Sequence, residues 1–233
     1  MRRWSVLLSS ALLFSPGTFV ATGQPKPAPA GSADSRKTPD PARRDGEITD
    51  PEILDYVRRI NKSIAAAANV PAPLLRVTRS GNLYVLPHAK SLSVSRGLLQ
   101  RIENEAELAG VLAHELAHYT GVPPDALQSV ACVLISKAGV SQSEETRERE
   151  RRATAAALAY TKAAGYDPAS VLDLFSKLAY EHPAWAKAIT PADLLQLRTQ
   201  LEEEAMPPAG YRLQSSEFSR MHARLASAPG ERQ

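Results

Sequence analysis

The chain has 233 residues, 43% of them hydrophobic, and a formal net charge of +3 at pH 7. This length and composition suit one domain with a hydrophobic core, which excludes a chain that is disordered throughout. Of the 28 basic residues, Arg2 and Arg3 lie in the first segment, which leaves 26 against 25 acidic residues. So small an excess is no electrostatic footprint for nucleic acid, and the sequence has no phosphate-binding glycine loop.

Residues 1–23 have the pattern of a secretory signal peptide. Arg2 and Arg3 precede an apolar run from Val6 to Val20, and small residues follow it. The run is shorter than the roughly 20 apolar residues that cross a bilayer, and a proline and a glycine interrupt it. We therefore expect an exported protein, periplasmic or secreted, with no stable membrane insertion after signal cleavage. An uncleaved anchor is the alternative.

A flexible linker is predicted from Gln24 to Glu47, because this segment is rich in Pro, Ala, Ser and charge. A folded domain is predicted over residues 48–205. It begins with a helix that Asp50 caps, that has Pro51 in its first turn and that runs to Ala68 with one apolar face.

Three short strands are predicted next. Leu74–Thr78 and Asn82–Leu86, joined through Ser80 and Gly81, predict a β-hairpin. Leu92–Ser95 is expected to complete a small sheet.

The most informative feature is on the next predicted helix, where His114 and His118 flank Glu115. Side chains four residues apart share one helix face, with Cβ atoms about 5–6 Å apart, so both imidazoles can bind one metal ion. Glu115 then lies beside the metal and can take a proton from a water that zinc activates. Asn104 and Glu107 form a capping box at the start of this helix. The alternative is two histidines satisfied by hydrogen bonds on a half-buried helix.

Four more helices are predicted from apolar periodicity and from start and stop signals. They cover Ala126–Lys137, Gln142–Ala164, Pro168–Tyr180 and Pro191–Glu204. Residues 206–233 are predicted to be a C-terminal tail with a short helix at Ser216–Ala226. The single cysteine, Cys132, lies in an apolar run and is expected to be a buried thiol, and no intrachain disulfide can form.

The segment Asn104–Gly121, NEAELAGVLAHELAHYTG, resembles the active-site helix of the HtpX-like and BepA-like zinc metallopeptidases, the group that also holds the Oma-type and CaaX prenyl proteases. The resemblance covers residues 50–204 and is strongest around the two metal segments. It implies an α+β, mainly helical, zincin-like domain with a small sheet. It also implies one Zn²⁺ per chain and a glutamate as the third ligand, which is the gluzincin arrangement.

In this family the third ligand opens an E-x-x-A-D segment that precedes a G-[YF]-D-P turn. The turn corresponds to Gly165–Pro168, and counting back places Glu150 as the ligand beside His114 and His118, with Glu148 as the rival. The family's closing Asp is Thr154 here. Because that acid is expected to orient a zinc-binding histidine, a hydroxyl in its place predicts weaker zinc binding or slower turnover.

Two further histidines match family positions. His182, followed by Pro183, matches a His-Pro dipeptide, and the resemblance implies that it stabilises the oxyanion or gates the site. His88 lies in a turn, Pro87–Ala89, that replaces the family's Pro-Gly-Gly. It is expected either near the cleft or, as is usual for a loop residue, in solvent.

The resemblance implies a zinc metalloendopeptidase that cleaves extended or misfolded envelope polypeptides in protein quality control, with Glu115 as the general base. One alternative is a zinc- or peptide-binding module with little catalysis and a chaperone-like or scaffolding role. The other is a peptidase kept latent by His182 or by a tail that occupies the cleft.

Overall fold

The computed structural model describes residues 41–88, 91–120, 144–181, 188–204 and 210–227. The predictions for the signal peptide, for the first part of the linker, for a helix around Cys132 and for His182 fall outside these residues.

The fold of the described residues is α+β and mainly helical, with one three-stranded sheet, as predicted. In chain order the elements are α1 (Pro41–Asp45), α2 (Pro51–Ala67), β1 (Leu74–Thr78), β2 (Val85–His88), β3 (Ser91–Ser95), α3 (Arg96–Arg101), α4 (Glu105–Thr120), α5 (Glu144–Ala163), α6 (Ala169–Glu181), α7 (Pro191–Glu202) and α8 (Ser216–Ser227). Among these helices, none has the length and apolar character needed to span a membrane.

Local signals in the sequence set most helix ends. Asp50 accepts hydrogen bonds from the first-turn amides of α2, and Thr190 with Asp193 forms a complete capping box on α7. Gly165 has a φ of +79°, which ends α5, and the Asp167 carboxylate accepts from Ala169 N at 3.0 Å to begin α6. The short helix α3 was not predicted, although Ser95 is its N-cap.

The predicted hairpin is wrong, because the strand order is β1-β3-β2. β3 is parallel to β1 and antiparallel to β2, so the first two strands are not neighbours. All five residues of β3 are buried, which suits the central position. The six-residue connection from Thr78 to Val85 is longer than a typical hairpin loop and passes the end of β3, where Ser80 O accepts from Gly97 N at 2.9 Å.

The linker prediction is wrong for residues 41–47, which are part of the fold. Arg79 N donates to Gly46 O at 3.1 Å and Ile48 N donates to Val77 O at 2.8 Å, so this segment pairs with the outer edge of β1. The Asp45 carboxylate accepts from the phenol of the buried Tyr84. The position of this segment depends on backbone pairing with β1, which no local apolar pattern predicts.

The C-terminal helix belongs to the domain and not to a tail. The predicted helix is confirmed as α8, and it packs against α2 and α3 through the buried side chains of Phe218, Met221 and Leu225. The guanidinium of Arg224 also pairs with the carboxylate of Asp50 at 2.8 Å. The described part of the domain therefore runs to residue 227.

A methyl group at Gly97 should disrupt the close approach of α3 to the connection between β1 and β2. A Cβ there would lie 2.1 Å from Gly81 O, which is backbone and cannot rotate away. We expect Gly97→Ala to lower the free energy of unfolding by about 2 kcal/mol in urea denaturation. The matched control is Gly81→Ala, whose Cβ meets nothing within 4 Å and should cost nothing. Equal stability of the two variants would show that the contact between residue 97 and Gly81 O does not limit this position.

Candidate metal centre

Helix α4 occupies the centre of the domain. Its residues from Glu105 to His118 are all buried, and it contacts α2, α5, α6 and β2. Asn104 Oδ1 accepts from Glu107 N at 2.8 Å, as the capping box predicts, whereas the Glu107 carboxylate accepts from Glu103 N at 2.7 Å instead of from Asn104 N. A helix that is capped and enclosed in this way can hold polar side chains inside the protein.

His114 and His118 lie on one face of α4, as their spacing predicts. Their Nε2 atoms are 3.0 Å apart, and their rings are nearly perpendicular, at 79°. Each residue is 1% exposed. Glu115, between them in sequence, is fully buried.

Helix α5 brings a carboxylate to the two imidazoles. Glu150 Oε2 lies 3.2 Å from His114 Nε2 and 3.1 Å from His118 Nε2. The structure places the rival, Glu148, elsewhere: its side chain is 37% exposed and its carboxylate accepts from Arg151 Nε at 2.9 Å. Among the described residues, the cluster that can hold a metal is therefore His114, His118 and Glu150.

Thr154 fixes which nitrogen of His114 carries the proton. Its hydroxyl donates to Glu150 O at 2.8 Å, one turn earlier on α5, and lies 3.3 Å from His114 Nδ1. With its proton already donated, the hydroxyl can only accept from Nδ1–H. His114 Nε2 then presents a bare lone pair to the carboxylate.

The charge states suit a cation. Burial lowers the pKa of His114, which favours the neutral imidazole. Burial alone would raise the pKa of Glu150, but the neighbouring rings of His114 and His118 outweigh burial and lower this pKa to about 2. Neutral imidazole and ionised carboxylate are the forms that bind metals.

The spacing of the three atoms also fits a metal. His114 Nε2, His118 Nε2 and Glu150 Oε2 form a triangle with edges of 3.0 to 3.2 Å. Ligand bonds of about 2.0–2.1 Å in a tetrahedral sphere predict edges of roughly 3.3 Å. A bare lone pair facing a carboxylate oxygen at this distance is repulsive without a cation between them, so the arrangement favours a bound metal ion.

Helix α6 supports the site through residues that the sequence did not mark. The ring of Phe175 meets the ring of His114 edge-on, with centroids 5.2 Å apart. This approach is close because Gly110 faces Val171, where an added Cβ would lie 2.4 Å from the valine Cβ. Apolar periodicity predicts that Phe175 is buried, but not that it faces a histidine. His182 lies outside the described residues, and of His88 only the backbone, at the end of β2, is described.

Comparison with known proteins relates the segment around α4 to a peptidase family. Residues 54–140 match the family model described as Peptidase family M48. This segment of the chain is therefore similar to peptidase family M48. It is 42% identical over 73 residues to a protein named Protease HtpX homolog from Pelotomaculum thermopropionicum. That alignment covers 29% of this chain and 24% of the relative, so the chain spans about a quarter of the relative's length.

The family match covers the two candidate histidine ligands, whereas only the geometry supports the candidate glutamate ligand. The matched region ends at residue 140 and therefore contains His114, Glu115 and His118. Glu150 lies beyond it, so its assignment rests on its distances from the two histidines.

The two acidic candidates can be separated by zinc binding. We expect Glu150→Gln to weaken zinc binding by more than the roughly 10–100-fold that losing a hydrogen-bond partner of a ligand costs, because it removes a charged ligand. Glu148→Gln is the matched control on the same helix and should bind zinc as the wild type does. Competition titration with a chromogenic chelator measures both affinities. The reverse pattern would assign the third ligand to Glu148.

Proposed function

We propose that this protein is a zinc-dependent metalloendopeptidase. The observation that carries the proposal is the buried triangle of His114 Nε2, His118 Nε2 and Glu150 Oε2, with edges of 3.0 to 3.2 Å. Two imidazoles and one carboxylate are a donor set of catalytic zinc sites, in which a fourth position stays open for water or substrate. Zinc bound there would lower the pKa of a coordinated water to about 7 and polarise the carbonyl of the peptide bond.

The chain's own residues would divide the work. His114, His118 and Glu150 hold the ion, and Thr154 keeps the proton of His114 on Nδ1, so that Nε2 stays available. Glu115 takes a proton from the attacking water and returns it to the leaving amine. It follows His114 in sequence and is fully buried, and a carboxylate shielded from bulk water keeps its proton transfers within the site.

The match of residues 54–140 to a peptidase family supports a polypeptide substrate. We propose that this substrate is extended or misfolded. The three candidate ligands are 1–2% exposed, and burial of this extent favours an extended segment over the rigid surface of a compact protein. The secretory pattern of residues 1–23 supports export, and envelope proteins are then the substrates that the chain would meet.

A module that binds zinc or peptide without catalysis is the competing function. Its motivation is the Thr154 substitution, which removes the family's acid. The contact of the Thr154 hydroxyl with His114 Nδ1 favours the peptidase, because it gives the imidazole an orienting partner. Latency through a tail in the cleft is not supported by residues 210–227, which pack on α2, α3 and the start of α4.

Replacing the general base separates catalysis from zinc binding. We expect Glu115→Gln to lower the rate of casein cleavage by about 10²–10⁴-fold while bound zinc is unchanged, because the amide cannot accept the proton. His114→Ala, as the comparison variant, should lose both zinc and cleavage. Removing zinc from the wild type with a chelator should stop cleavage, and adding it back should restore the rate.

Full activity in Glu115→Gln would sink this mechanism. A wild-type chain that is fully loaded with zinc and cleaves no unfolded protein would support the binding module instead.

The role of the Thr154 hydroxyl can be tested with an isosteric change. Thr154→Val keeps the shape but leaves His114 Nδ1 without its acceptor, so we expect zinc affinity to fall about 10–100-fold. Thr154→Ser keeps the hydroxyl and should stay close to the wild type. If the valine and serine variants bind zinc equally well, the hydroxyl does not orient His114.

A further inference from the structure

A short segment near the C-terminus contacts both helices that carry the candidate ligands. We call residues 210–215, between the described part of α7 and α8, the C-terminal clamp. The predictions from sequence assigned these residues to a tail. Their hydrogen bonds instead reach the end of α5 and the start of α4.

The clamp holds the turn that follows α5 through backbone pairing. Arg212 N donates to Gly165 O at 2.9 Å, and Asp167 N donates to Arg212 O at 3.0 Å. The Arg212 guanidinium also lies over the ring of Tyr166, 4.0 Å from its centroid. Three contacts at one residue fix the position of the α5–α6 turn relative to the clamp.

The clamp holds the start of α4 through Glu105, the first residue of that helix. Ala106 N donates to Leu213 O at 3.1 Å, and the Ser215 hydroxyl donates to Glu105 Oε2. Glu105 is 4% exposed, and its Oε2 also accepts from the phenol of Tyr56 on α2 at 3.0 Å. Hydrogen bonds to a buried carboxylate are strong ones, whereas the half-exposed Arg212, at 3.6 Å from Glu105, adds little.

These contacts fix how far α4 and α5 can slide along each other. The two helices run antiparallel, since His114 contacts Thr154 midway and the start of α4 lies where α5 has ended. A slip by one residue would move Glu150 by about 1.5 Å relative to the histidines. Metal–ligand distances tolerate about 0.2 Å. A contact that resists sliding therefore keeps Glu150 at its distance from the two histidines. It does so from the far end of the helix pair, about 13 Å along α4 from His114.

We propose that the C-terminal clamp, through the contact of Ser215 with Glu105, is a positioning element that holds Glu150 in register with His114 and His118 for metal binding. This inference rests on the proposed metal site. It predicts that breaking the clamp lowers metal affinity by more than any loss of stability explains, and that metal binding in turn tightens the clamp.

Two variants break the same contact from opposite sides. Ser215→Ala removes the donor, and it also removes the acceptor of Phe218 N, 3.4 Å away in the first turn of α8. Glu105→Gln replaces the charged acceptor with a neutral one and leaves that second contact of Ser215 intact. In the full-length chain we expect each to lower zinc affinity about 10-fold, measured by competition with a chromogenic chelator. Each should also change the visible spectrum of bound Co²⁺, which reports ligand geometry. Ser215→Thr, which keeps the hydroxyl, should restore both readouts.

The control is Arg224→Ala, which breaks the ion pair of α8 with Asp50 and leaves the clamp untouched. It should change neither zinc affinity nor the Co²⁺ spectrum, even where it lowers the unfolding midpoint. If Ser215→Ala and Glu105→Gln lower the midpoint but bind zinc and Co²⁺ as the wild type does, the clamp stabilises the fold only, and the proposal is overturned.

Amide hydrogen exchange tests the same idea in the wild type, even if the variants do not fold. Zinc should slow exchange at Ala106, Arg212 and Asp167 more than at Ile48, whose hydrogen bond lies at the far edge of the sheet. Equal slowing at all four amides would overturn the proposal. A wild-type chain that binds no zinc would overturn both the proposed function and the clamp's role. If the wild type binds zinc but breaking the clamp does not change its zinc affinity, only the clamp's role is overturned.

Discussion

The buried triangle of His114 Nε2, His118 Nε2 and Glu150 Oε2 is the constraint around which the domain is arranged. Three polar groups with 1–2% exposure are expensive to bury, and the bare Nε2 of His114 and the Glu150 carboxylate repel each other unless a cation lies between them. They stay together because the surrounding helices leave them no other arrangement. Holding these three groups together therefore lowers the stability of the metal-free chain, and the same arrangement prepares the site to bind a metal ion.

Enclosure of α4 is how the fold meets that constraint. Burial from Glu105 to His118 requires close partners on every side, and Gly110 gives α6 the room to approach until Phe175 reaches His114. Thr154 supplies from α5 the acceptor that sets the tautomer. Each of these contacts reaches the metal ligands from a different helix, so the precision of the site depends on how the helices pack and not on a single loop.

The parts of the chain outside the family match complete this packing. The match covers residues 54–140, which include the histidines and the sheet, whereas α5, α6 and α8 follow it. Both segments that were predicted to be peripheral contribute to the fold. Gly46 and Ile48 pair with the edge of β1, and the segment before α8 joins the ends of α4 and α5. The described unit of structure is thus larger than the region that matches the family model.

The sequence by itself determined what depends on neighbours a few residues away. The four-residue spacing of His114 and His118 places them on one helix face, and caps such as Asp50 and Thr190 set helix ends to within a few residues, because helical geometry is local. Glu150 was found by resemblance to a family motif and not by any periodicity. Only the tertiary structure decided the strand order, the docking of α8, the contact of Thr154 with His114 and the clamp on Glu105. The last two contacts join residues that are 40 and 110 positions apart in the sequence. Such contacts depend on how whole elements pack, which no local pattern encodes.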